Sequence, residues 1–179
     1  DSLVETIHAN SKGSSKLATG NAANNVDLYQ VNCSFYDALG QNDQQYLLAR
    51  AIQLFCPGIS QIYYAGLLAM PNDVELLQQS RVGRDIGRPY LNAEKVADAL
   101  QKPVVQALYG LITLRRSLQA FNGDFSQTLH NGSYQLQWQH QGHTAALIID
   151  LANLEATMHW QHAGQAAESL ALSKLYRSV

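Results

Sequence analysis

The chain has 179 residues, with 12 Lys+Arg against 14 Asp+Glu and a formal net charge of -2. Hydrophobic residues make up 46% and charged ones 15%, which is enough apolar material for a core and too much for a disordered chain. The near balance of charge, without a Lys/Arg cluster, argues against nucleic-acid binding by phosphate neutralisation, and no apolar run is long enough to span a bilayer.

In chain order, Asp1 to His8 predicts a short helix with Leu3, Val4 and Ile7 on one side. Its first residues lack the basic start and long apolar core of a signal peptide. With no Met at the start, the chain reads as processed or as a piece of a longer one. The Gly- and Ser-rich stretch from Asn10 to Asn21 reads as loop. Val26 to Phe35 reads as an extended segment from its β-branched and aromatic content.

Asn42 can cap a helix, with Gln45 in a weaker form of the capping box. Tyr46, Leu47, Leu48, Ala51, Ile52, Leu54 and Phe55 make that helix apolar on more than one face, and Pro57-Gly58 stops it. Ile59 to Ala65 reads as a short, buried parallel strand, because its apolar residues run without alternation. A lone parallel strand needs neighbours, so residues 42 to 120 read as a section of a larger α/β unit. Gly66 to Pro89 reads as a long irregular connection. Asn92 can cap a second helix, and Pro103 opens a third that carries Val104, Leu108, Leu111 and Leu118 and ends at Phe121-Asn122-Gly123.

Beyond Gly123 the apolar period changes from 3.6 to 2. Tyr134, Leu136 and Trp138 predict a first strand, and Gln141-Gly142 a turn. Ala145 to Leu151 and Ala156 to Trp160 predict two more, and Leu170 with Leu172 a fourth. This is a small antiparallel sheet.

The run Arg81 to Tyr90 is the best polar candidate. Arg84 and Asp85 stand between Gly83 and Gly87, with Arg88 beyond. A guanidinium fork beside a carboxylate can hold vicinal sugar hydroxyls or an anion; the alternative is a solvated or internally paired loop. Asp27, Tyr29, Gln30 and Asn32 form a second candidate, in which Tyr29 could stack on a sugar ring; the alternative is an ordinary loop packed by its Tyr. Five of the six histidines fall in the small sheet without Cys or acidic partners at metal-ligand spacing, so no metal site is expected. Cys33 and Cys56 are too few for a disulfide framework; they read as buried apolar residues of a reducing compartment.

Longer matches then emerge. Asp27-Leu-Tyr-Gln-Val-Asn-Cys-Ser-Phe-Tyr-Asp-Ala-Leu-Gly40, Ala49 to Ala69, Asn72 to Leu77 and Gly83-Arg-Asp-Ile-Gly-Arg88 together resemble the sucrose phosphorylases of the α-amylase superfamily, glycoside hydrolase family 13. The likeness covers residues 1 to about 123 well, and the final sheet less closely. It implies the C-terminal part of a (β/α)8 barrel followed by a small antiparallel β domain. Residues 1–40 would end a small insertion domain bearing an acceptor-site loop. Residues 41–122 would be the last helix–strand–helix section of the barrel, with its eighth strand at 59–65, and residues 123–179 the β domain.

The implied chemistry is retaining glucosyl transfer from sucrose to phosphate, through one nucleophilic and one proton-carrying carboxyl. In the family both carboxyls lie upstream of the matched region, so no catalytic residue is assigned here and the fragment alone is expected to be inactive. Arg84 matches the arginine that bonds glucose; Asp27, Tyr29 and Gln30 match the mobile acceptor-side loop, with Asp85 and Arg88 in support. The expected partners are sucrose or a related glucoside, inorganic phosphate, the rest of the same enzyme and a second copy in a homodimer. No cofactor, nucleic acid or membrane is expected, and the location is cytoplasmic. Gly87 and Pro89 stand where the family commonly has Asn and His. That leaves open relatives acting on sucrose phosphate, glucosylglycerate or glucosylglycerol. An α-glucosidase or transglucosidase, and a carbohydrate-binding or structural module, stay open beside them.

Overall fold

The structure is a computed structural model and describes residues 2–27 and 29–175. In chain order the helices are α1 (Ser2–Asn10), α2 (Phe35–Ala38), α3 (Asp43–Phe55), α4 (Tyr64–Leu67), α5 (Val74–Ser80), α6 (Ala93–Leu100) and α7 (Pro103–Ser117). Strands β1 (Asp124–His130), β2 (Ser133–His140), β3 (His143–Asp150), β4 (Glu155–Gln161) and β5 (Glu168–Ala171) follow, and α8 (Leu172–Leu175) closes the described chain. The residues gather into two compact units, one formed by 1–46 with 62–105, the other by 47–61 with 106–179.

In the first unit, side-chain caps set the helix starts. Asn42 Oδ1 accepts from the Gln45 amide at 3.1 Å, as its place before α3 predicts. Asp73 accepts from Leu76 N at 2.9 Å and Asn92 from Lys95 N at 2.8 Å. Gly66 to Pro89 is thereby more ordered than expected: it holds the end of α4, then α5, then a 3₁₀ turn over Gly83–Gly87. The serine-rich stretch is ordered as well, with 3₁₀ turns at Ser14–Ala18 and Gly20–Ala22. Ser11 Oγ donates to Ser15 Oγ at 2.8 Å, and Ser15 Oγ lies 2.6 Å from His8 Nδ1. Ser15 is fully buried, so this Ser–His pair is structural rather than a nucleophile and its base. In α1, Leu3 is exposed while Val4, Ile7 and His8 face inward to differing degrees.

The barrel strand expected at residues 59–65 is not there. Ile59 to Tyr63 joins no ladder, Ile59 is 99% exposed, and Tyr64 already opens α4. The bridge between Asn24 and Val82 is the sole parallel pairing among the described residues, so the barrel is absent from this stretch of polypeptide. A parallel strand forms only by pairing with a neighbouring strand under covered faces, and no such neighbour is supplied here. The described residues of Val26 to Phe35 likewise form no strand, and the segment passes into α2 at Phe35; Leu28 lies outside the described residues.

In the second unit, five antiparallel strands run in sequence order, β1 to β5. Leu136 pairs with Leu147, and Leu147 with Met158, stacking three buried residues across the sheet centre. The Gln141-Gly142 turn adopts φ values of 45° and 82°, as a tight hairpin requires. Trp138 donates its indole N–H to the Phe55 carbonyl at 2.7 Å, placing the last turn of α3 on this core. Arg115 lies over the Phe121 ring at 4.0 Å and donates from Nε to the Leu54 carbonyl at 3.2 Å. One strand was not foreseen: β1 is an edge strand with only Phe125 partly buried, so its sequence shows almost no alternation. Leu172, read as part of the last strand, lies in α8.

Candidate functional site

The Arg84 turn is fixed from several sides. The Asp85 amide donates to Val82 O and the Arg88 amide to Asp85 O, both at 3.0 Å. The Asp73 amide donates to Ile86 O at 2.7 Å, and Ile86 is fully buried with Ala18 and Leu77. Arg84 and Arg88 are left exposed at the ends of this rigid turn.

Gln30, Tyr63, Arg84, Gly87 and Arg88 line an open cavity of about 240 Å³. That is below the size usual for drug-like ligands and suits a group on the scale of one sugar ring or a small anion. Two guanidinium groups and no carboxylate face it, which favours hydroxyl or phosphate oxygens as acceptors. A larger open groove of about 520 Å³ mixes Asp73, Glu75 and Asp98 with Lys95 and Lys102, and none of the sequence-predicted site residues lines it.

Gln30, Asn32, Arg84 and Arg88 therefore meet, while Asp27, Tyr29 and Asp85 do not line this cavity. The Asp27 carboxylate shapes its own turn, accepting from the Tyr29 amide at 2.9 Å, and Tyr29 is 95% exposed. Asp85 is half-buried. Tyr63 was missed, because its apolar neighbours suggested a buried strand. Its partner ring, Tyr64, sits 4.4 Å away between centroids and donates its hydroxyl to Pro89 O at 2.9 Å. Burial first, and the hydrogen bond with Tyr63 second, push the Tyr64 hydroxyl up to about 12.

Beneath the cavity wall, Asn72 ties three segments together. Its Oδ1 accepts from the Ser34 amide at 2.6 Å, its Nδ2 donates to Ser14 Oγ at 2.8 Å, and its own amide donates to Asp37 Oδ2 at 2.7 Å. Cys33 is half-buried here, and burial first, with Asp37 adding to it, pushes its thiol from the ordinary 9.0 to about 11. Cys56, expected to be buried, is exposed instead. At pH 8 Cys56 is accordingly expected to react with a thiol reagent such as DTNB in a fast phase and Cys33 in a much slower one, because the thiolate is the reacting form. A Cys56→Ser variant that retains the fast phase would overturn this assignment.

No protein-family model matches the chain. Curated relatives do match, among them the sucrose phosphorylase of Agrobacterium vitis, 50% identical over 159 residues, and that of Bifidobacterium adolescentis, 48% identical over 151. These alignments take in 88% and 84% of this chain, and 33% and 30% of the relatives. The chain belongs to the sucrose phosphorylase family. It spans about a third of the length of the curated relatives it matches. The crystal structure of sucrose 6F-phosphate phosphorylase from Thermoanaerobacter thermosaccharolyticum is similar over 95% of this chain and 34% of its own, with a TM-score of 0.81 at 32% identity. The structural likeness thus extends over both units. Among the described residues, no helix is long and apolar enough to cross a membrane, and no group of three or more His, Cys, Asp or Glu could hold a metal ion.

Proposed function

We propose that this polypeptide is the substrate-contacting C-terminal portion of a retaining glucoside phosphorylase that transfers glucose from sucrose to phosphate, giving α-glucose 1-phosphate and fructose. The observation that carries the reading is the cavity in which Arg84 and Gln30 meet. Arg84 binds the glucose unit, with Arg88 in support; Gln30, with Asp27 and Tyr29 on the adjoining turn, forms the acceptor side, and Asp85 helps shape the arginine turn. The nucleophile and the acid lie in polypeptide other than these 179 residues. In functional terms, residues 1–40 bring the acceptor segment, 41–122 the arginine turn and 123–179 the β domain.

The charge pattern supports this reading. Two exposed guanidinium groups without a carboxylate suit a reaction in which phosphate enters the site and a sugar phosphate leaves. The expected setting is cytoplasmic, where phosphate and a sugar donor meet, and the expected assembly is a homodimer of the complete enzyme. The solved sucrose 6F-phosphate phosphorylase favours a second reading, with a phosphorylated sucrose as donor.

Incubating the complete enzyme with sucrose and phosphate, and following products by phosphorus NMR, tests the proposal. α-Glucose 1-phosphate is expected. Free glucose as the sole glucosyl product would replace phosphorolysis with hydrolysis, and turnover of sucrose 6F-phosphate alone would select the second reading. The 179-residue chain by itself is expected to turn over neither donor.

A further inference from the structure

Two asparagines close the base of the acceptor segment and join it to the arginine turn. Asn25 Nδ2 donates to the carbonyl oxygens of Ala18 at 3.0 Å, Gly20 at 2.9 Å and Ala23 at 3.4 Å. Asn32, almost fully buried, donates from Nδ2 to the same Ala18 oxygen at 2.9 Å and to Asn25 Oδ1 at 2.8 Å. Between them, Val26, Asp27, Tyr29 and Gln30 are all exposed. The ends of the segment are thus held by side chains while Val26, Asp27, Tyr29 and Gln30 face solvent.

The same groups grip the residue before Arg84. A Cβ at Gly83 would collide with Asn25 Oδ1 and the Ala18 carbonyl oxygen, so only glycine lets the turn approach this closely. Backbone bonds complete the join: the Asn24 amide donates to Arg81 O at 2.8 Å and the Gly83 amide to Asn24 O at 3.2 Å.

The geometry points to Asn25 and Asn32 as positioning residues that set the acceptor-side Gln30 against the glucose-side Arg84. Asn25 lies outside the cavity; Asn32 lines it, but its side-chain amide is spent on Ala18 O and Asn25 Oδ1, and together they fix the distance between Gln30 and Arg84. This rests on the functional reading above, in which one side of the cavity takes the donor glucose and the other the incoming phosphate. Misplacing a positioned group by about 1 Å can cost on the order of 100-fold in a reaction step. Loosening the base therefore penalises capture of phosphate relative to water, which needs no such positioning.

Asn25→Asp is the sharpest variant. It is isosteric and leaves no cavity, but sets an oxygen against three carbonyl oxygens. In the complete enzyme, the ratio of glucose 1-phosphate to glucose formed at fixed phosphate is expected to fall by at least about tenfold. The ratio is an internal competition, so a loss of folded protein leaves it unmoved. An unchanged ratio with a lowered Tm would make the asparagines structural only and overturn the proposal.

Amide hydrogen exchange of the unsubstituted enzyme gives a check that needs no variant. Asn24 and Gly83 are expected to be protected and the exposed Val26 to exchange fast; equal rates would overturn the closed base. If the unsubstituted enzyme makes no glucose 1-phosphate, the functional reading fails and the positioning role with it. If it makes glucose 1-phosphate and Asn25→Asp leaves the ratio intact, the positioning role fails alone.

Discussion

Arg84→Ala in the complete enzyme is expected to lower kcat/KM for the glucosyl donor by about one to two orders of magnitude, equivalent to ~1.5–3 kcal/mol for a hydrogen bond to a charged group. The side chain is exposed at the end of a turn fixed by its own backbone bonds and by buried Ile86, so its removal opens no core cavity. The effect should fall on binding and turnover, not on folding. Arg84→Lys keeps the charge but loses the planar fork, and should recover only part of the rate. Steady-state kinetics with varied donor, beside a thermal melt of each variant, checks this. Unchanged kcat/KM with an unchanged melt would remove Arg84 from the donor side.

Leu147→Ala is expected to destabilise the sheet unit by about 2–5 kcal/mol. Leu147 is fully buried at the centre of β3, paired with Leu136 on one side and Met158 on the other. Those neighbours are held by the ladder and cannot collapse into the space, so the lost transfer energy and the cavity add. Against a usual total stability of about 5–15 kcal/mol, that is a large fraction. Leu129→Ala, on the exposed face of edge strand β1, should stay within about 0.5 kcal/mol. Urea unfolding followed by Trp fluorescence measures both, with Trp138 reporting from the same core. Equal midpoints for the two variants would mean that the core is not where the ladder places it.

The parts of the fold written in local chemistry were legible. Asn42 and Asn92 cap helices as their side chains predict, and Pro103 opens α7. Tyr134, Leu136 and Trp138 alternate because one face of β2 meets a core and the other does not. What depends on distant partners was not legible. Ile59 to Ala65 has the composition of a buried strand, but composition cannot supply a neighbouring strand. The serine-rich stretch looked irregular because its order comes from hydroxyls bonding back to the chain and to His8, which leaves no periodic signal. Strand β1 is hidden for the opposite reason: an edge strand with little to bury has no pattern to read.

The site divides the same way. Arg84 and Gln30 could be singled out from the family resemblance, and the cavity places them together. Tyr63 lines the same cavity yet carries no motif. Asn32 was singled out as a polar group that could bond a sugar, whereas Asn25 acts on carbonyl oxygens, which any residue supplies, so no pattern of residue types announces it. The glycines were the useful clue: Gly83 is required by a close approach, whereas a Cβ at Gly87 would meet the Cys33 backbone only at ordinary contact distance, 3.6 Å. A side chain at position 87 is therefore compatible with the backbone around it.

The most direct measurement is a crystal structure of the complete enzyme with glucose bound. The Arg84 guanidinium is expected within hydrogen-bond distance of a sugar hydroxyl, with Gln30 facing the same cavity. A sugar seated elsewhere, with Arg84 turned into solvent, would contradict it.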